Sequence, residues 1–89
     1  MIYRIKAESK KWKCLTTDET DCAKQAWKRA MEWLDKPFFY GYVTFDHQAA
    51  VEADIVSILD EQHLPIIKWE RQDNNQMILT YIKVPFNMD

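Results

Sequence analysis

A chain of 89 residues, 47% apolar and 13% aromatic, has the composition of one folded domain with a modest core, which excludes an intrinsically disordered chain. Its net charge of −2 excludes a general DNA binder and an extreme polyanion. No apolar run approaches the roughly 20 residues of a membrane span and no signal-peptide pattern is visible, so the expected setting is the cytoplasm, away from membranes.

The charge is unevenly placed along the chain. Residues 1–36 carry nine Lys/Arg against six Asp/Glu, residues 37–67 carry five acids and no Lys or Arg, and residues 68–89 carry three of each. Such a division predicts an electrostatically two-sided molecule able to orient a partner.

Residues 2–7 alternate, with Tyr3, Ile5 and Ala7 against Arg4 and Lys6. Residues 11–15 alternate again, with Trp12 and Cys14 against Lys11 and Lys13. Glu8-Ser9-Lys10 between them reads as the turn of a hairpin, with one long bent strand as the alternative. The basic residues here protect an edge strand from aggregation; a phosphate-binding patch is their other use.

Thr16 and Glu19 have capping-box spacing, and Asp18, Glu19 and Asp21 place negative charge at a helix N-terminus. The predicted helix runs to about Asp35, because Pro37 bars continuation. Ala26, Trp27, Ala30, Met31, Trp33 and Leu34 lie on its apolar half, with Cys22 and Ala23; Lys24, Lys28, Arg29 and Glu32 lie on the other. The tryptophans read as core. Cys14 and Cys22 fit no zinc or redox spacing and read as small buried thiols.

Phe38 to Phe45, a run of aromatic and β-branched residues, predicts a central strand. One side (Phe39, Gly41, Val43, Phe45) suits a core; the other (Phe38, Tyr40, Tyr42, Thr44) suits a half-wet surface or an interface. Gly41, the single glycine, reads as a bulge or a close approach. Asp46 then caps a predicted second helix over residues 48–62, with Val51, Ile55, Ile58 and Leu59 buried. Asp54, Ser57, Asp60 and Glu61 form its outer face, an expected negative stripe, and His63-Leu64-Pro65 ends it. Residues 66–71 read as a strand, 72–76 as a turn and 77–84 as the last strand, stopped by Pro85. The order ββαβαββ predicts an α+β two-layer sandwich, a mixed, mostly antiparallel sheet of about five strands with two helices on one face.

One glycine leaves no room for a phosphate-cradling loop, a dinucleotide fingerprint or a nucleophile elbow. His47 and His63 stand apart with no metal-ligand spacing, and Ser57 has no histidine one turn away. The expectation is therefore no enzyme, no metal and no cofactor.

Tyr40-Gly41-Tyr42-Val43-Thr44-Phe45 resembles the last six positions of the octamer of the RNA-recognition motif, where an exposed aromatic pair stacks on bases. The resemblance implies that role for Tyr40 and Tyr42. The basic residue and glycine that open the octamer are Phe38 and Phe39 here, and a helix, not a strand, leads into the segment.

Two functions of different class follow. The first is a non-enzymatic protein-binding module, a small stand-alone regulator or inhibitor of the kind represented by phage-encoded anti-CRISPR proteins. It would bind a host protein through Asp54, Asp60, Glu61, Tyr40 and Tyr42. The alternative is an RNA- or single-stranded-DNA-binding domain using Tyr40 and Tyr42 with the basic hairpin residues Lys11 and Lys13. A homodimer that buries the open sheet face is compatible with either.

Overall fold

The computed structural model describes residues 1–10, 14–44, 47–83 and 86, and for residues 40–44 and 47–49 the backbone alone. The elements run β1 (Tyr3–Glu8), β2 (Thr16–Thr20), α1 (Ala23–Asp35), β3 (Phe38–Thr44), β4 (His47–Glu52), β5 (Ile55–Leu59), β6 (Pro65–Arg71) and β7 (Met77–Ile82). Five strands form one sheet in the order β2-β1-β5-β6-β7, and β3 and β4 form a separate two-stranded sheet. Every pairing is antiparallel. The α+β class stands, but among the described residues the order is ββαβββββ with one helix, and the five-stranded sheet is antiparallel throughout, not mixed.

The expected second helix over residues 48–62 is instead β4, a short connection at Ala53-Asp54, and β5. Val51, Ile55, Ile58 and Leu59 happen to share helical spacing, but that count passes over Val56. Val56, Ser57, Ile58 and Leu59 are all buried in sequence, the pattern of a strand covered on both faces and not of an amphipathic helix. Ser57, expected on an outer helix face, is only 1% exposed in this central strand. Three of the five β5 residues are β-branched, which favours the pleated state.

The expected capping box is also a strand. Thr16, Thr17 and Thr20 pair with Ala7, Lys6 and Tyr3 of β1. Asp18 and Glu19 take arginine partners, Arg29 at 2.9 Å and Arg4 respectively, rather than a helix terminus. The helix instead begins after Cys22, with no side-chain cap and no acid in its first turn. Cys14 and Cys22 are free and exposed, not buried. The end of the helix at Asp35, the strand after Leu64 and the turn at 72–76 match the sequence reading; in that turn Asn75 takes φ 67° and Gln72 N–H donates to the Gln76 carbonyl at 2.8 Å. Trp12 and Lys11, Lys13, Phe45, Asp46, Val84 and Pro85 lie outside the described residues.

The core is a cross-strand ladder under the helix. Ile5, Ile58 and Ile67 are directly opposite one another across β1, β5 and β6, and Ala7, Val56 and Trp69 form the next row. Ala26 and Ala30 bring α1 down onto these rows, and both are fully buried. Trp27 meets Trp69 edge-on with ring centroids 5.5 Å apart. Because Ile58 has neighbours on both sides and a helix above, Ile58→Ala should lower the unfolding free energy by about 2–5 kcal/mol, read from the urea midpoint. Ala30→Leu should cost about 1–3 kcal/mol by forcing the helix off the sheet, while a substitution at exposed Lys24 should change little.

Candidate protein-binding surface

Pro37 ends the helix and turns the chain into β3, which leaves the main sheet altogether. β3 and β4 then pair as a hairpin, with Phe38 opposite Glu52, Phe39 opposite Val51, Tyr40 opposite Ala50 and Tyr42 opposite Gln48. Gly41 itself pairs regularly with Ala49, and the register shifts only between Tyr42 and Thr44, so the glycine does not mark the bulge. The two strands pair with each other and, among the described residues, with no strand of the main sheet. The hairpin is an arm held by its base.

The base is built with care for polar groups. Ala53 N–H donates to the Pro37 carbonyl, and Asp54 N–H donates to the Glu8 carbonyl, both at 2.7 Å. Arg71 N–H donates to the Asp54 carbonyl at 2.7 Å. The Arg71 guanidinium, 11% exposed, then donates to the carbonyls of Ala53 (2.7 Å) and Asn75 (2.9 Å) and pairs with the carboxylates of Glu52 (2.9 Å) and Asp54 (3.5 Å). Trp33 of the helix meets Phe39 edge-on at 5.6 Å.

Between the arm base, the helix and β7 lies a groove of about 730 Å³. Trp27, Met31 and Leu34 form its helical wall, Trp69 its floor and Met77 and Leu79 its far wall, with Phe38 at the rim. Phe38 is 59% exposed and Leu79 47% exposed. The Glu52–Arg71 pair sits in the same groove and leaves it without net charge. Farther along β7, exposed Ile82 pairs with Ile67 on the groove's side of the sheet, whereas exposed Ile78 and Tyr81 pair with Glu70 and Lys68 on the other side.

The residues expected to bind a partner separate into distinct places. Tyr40 and Tyr42 occupy alternate positions of β3 in the arm. Asp54, Asp60 and Glu61 share no helix face, because β5 runs between them as a strand. Asp54 is held in the arm base, where its carboxylate also accepts from Lys10 N–H at 2.8 Å. Asp60 closes the β5–β6 turn by accepting from the N–H groups of Gln62 and Leu64, each at 2.9 Å, with His63 at φ 63°. Glu61 accepts from Ile2 N–H at 2.9 Å. The negative stripe is thus replaced by acids used for internal bonds. Lys11 and Lys13 lie outside the described residues. Among the described residues no group of three His, Cys, Asp or Glu side chains is placed to hold a metal, and no helix is long and apolar enough to cross a membrane.

The groove residues Trp69, Met77 and Leu79, and the clamp residue Arg71, were not singled out in the sequence. A signal exists for Arg71: alternation from Ile67 through Trp69 places it on the apolar face of its strand, where a lone arginine needs anionic partners. Arg71→Met should therefore cost about 3 kcal/mol, since it strands Asp54 and Glu52 and frees two carbonyls. Amide exchange should locate the loss at Ala53 and Asp54 before it reaches β5.

No protein-family model matches the chain, and neither a curated protein nor a solved structure matches it.

Proposed function

We propose that this chain is a non-enzymatic protein-binding module, a small regulator or inhibitor that docks its arm and adjoining groove onto a host protein complex, as anti-CRISPR-type phage proteins do. The observation that carries the reading is the β3–β4 ribbon, whose strands pair with each other apart from the main sheet. A two-stranded hairpin in water is marginal by itself, so an arm of this composition gains order from whatever packs on it. Phe38, Phe39, Tyr40 and Tyr42 supply large, rather rigid side chains, the residue types that dominate binding energy at interfaces. The neutral groove beside the arm's base offers a second apolar contact for the same partner.

The nucleic-acid reading draws on the same two tyrosines but has less behind it. The RNA-recognition motif displays its aromatic pair on a broad open sheet, whereas β3 here belongs to a two-stranded ribbon. Tagged protein should retain a stoichiometric partner from its native cell lysate after nuclease treatment. The double variant Tyr40→Ser/Tyr42→Ser should lose that partner by tenfold or more, with an unchanged far-UV circular dichroism spectrum. Retention that vanishes with nuclease, or an affinity that collapses with salt, would transfer the function to RNA or single-stranded DNA.

A further inference from the structure

We infer that the open edge of β7 pairs with the same edge of a second copy of this chain, joining two five-stranded sheets antiparallel across a two-fold axis at Ile78. The inference needs neither the β3–β4 arm nor a host partner.

The main chain defines the edge. β7 ends the sheet order β2-β1-β5-β6-β7, and among the described residues no strand lies beyond it. At one end of the β6–β7 ladder Gln72 N–H donates to the Gln76 carbonyl at 2.8 Å, and at the other Lys83 N–H donates to the Ile66 carbonyl at 2.7 Å. Antiparallel residue pairs alternate between those that exchange hydrogen bonds and those that do not. Counted from the turn, Glu70–Ile78 is a bonded pair, while Arg71–Met77 and Trp69–Leu79 are not. Met77 and Leu79 therefore turn their N–H and C=O groups away from β6, to the open side. Counted from the other end, Ile82 opposite Ile67 does the same. Main-chain donors and acceptors repeated at this spacing are matched by another extended chain; a helix or a small ligand presents no such row.

The chain carries its own match. Met77–Ile82 contains no Asp, Glu, Lys, Arg or Pro, the residues that guard an exposed edge, and Ile78, Leu79, Tyr81 and Ile82 are all exposed. About an axis at Ile78, Met77 of each copy lies opposite Leu79 of the other, so both pairs join groups that face outward. The stretch lies on the regular side of the register shift between Lys68 and Trp69. Side chains fit the same register: Met77 meets Leu79 of the other copy on the groove side, and Ile78 meets its own counterpart on the other side. Charge agrees. Each copy carries −2, yet the two edges oppose no like charges. A foreign strand would have to bring an uncharged, alternating segment of its own, whereas a second copy brings one already held extended. The opposite sheet edge, β2, carries Asp18 and Glu19 and is protected against pairing. Each chain thus has one unguarded edge, and the pairing closes after two copies.

Analytical ultracentrifugation over a dilution series up to millimolar protein, with amide exchange read at both ends of the series, tests it. Wild-type protein should pass from the 10.7 kDa chain mass to twice that mass, and the Met77 and Leu79 amides should exchange about tenfold more slowly in the dimer. Ile78→Lys, at a half-exposed position, sets two ammonium groups opposite each other and should hold the chain at the single mass with native circular dichroism. Ile78→Glu should do the same, and an equal mixture of the two variants should recover the double mass, which misfolded chains would not do. Should neither variant fold, the Met77 and Leu79 amides of the wild-type protein decide. A chain that stays monomeric at millimolar concentration overturns the inference and leaves the host-partner reading standing. A dimer that survives Ile78→Lys, or whose Met77 and Leu79 amides exchange as in the monomer, overturns it equally. So does edge protection that appears only with a captured protein, which assigns β7 to a strand of that protein.

Discussion

The Arg71 guanidinium is the constraint on which the arrangement of hairpins depends. One side chain reaches the last residue of β4, the β4–β5 connection and the β6–β7 turn, through Glu52, Ala53, Asp54 and Asn75. Without it, the part-buried Ala53 carbonyl and the Asp54 carboxylate at the arm's base would lose their cationic partner, while half-exposed Glu52 could turn to water. The site is not perfectly satisfied. Arg71 Nε is buried and makes no hydrogen bond, with Asp54 Oδ1 at 3.5 Å as its nearest anion. The charge is met, while that one donor is left unbonded. Arginine suits this role better than lysine, since its planar fork serves several acceptors in different directions at once.

That clamp explains how an exposed ribbon and a packed sheet coexist in a short chain. Among the described residues, the buried core cluster comes from β1, β5, β6 and two alanines of the helix. Phe86 adds to it from the C-terminal side, with ring contacts to Tyr3 at 6.1 Å and Trp27 at 6.3 Å. The arm is therefore fixed at its root by polar bonds and by Phe39 against Trp33.

Much of the main sheet and all of the helix's apolar face were legible in the sequence, because their periodicities have a single reading. Ala26 and Ala30 lie where the wheel places them, and Ile5 and Ala7 where alternation does. The region 47–62 was not legible, because its apolar residues satisfy helical spacing and strand burial together. Only the β-branched run at Ile55 to Ile58 separates the two, and pairing with the distant β1 decides it. The candidate site divides in the same way. The aromatic run at Phe38 was legible as a strand, but the expected central strand lies outside the main sheet, which its composition does not reveal. The acidic side chains gave a misleading stripe, because linear charge density ignores which carboxylates Arg71 and the turn amides consume. The groove was invisible, since its walls come from the helix, β6 and β7, and nothing local in the sequence brings them together.

The pairing of β1 with β5 gives this architecture a further property. Arg4 lies opposite Leu59 and Glu8 opposite Ile55, so everything from Ser9 to Asp54, the arm included, is a loop that folding must close to form the centre of the sheet. The entropy of closing a loop grows only with the logarithm of its length, about 0.6 kcal/mol per doubling. Residues added to or lost from the arm's tip therefore change the closure cost by a small fraction of that amount. Natural variation can lengthen, shorten or rewrite the ribbon while the ladder beneath the helix stays the same, so the ribbon is free to diverge faster than the part that keeps the chain folded.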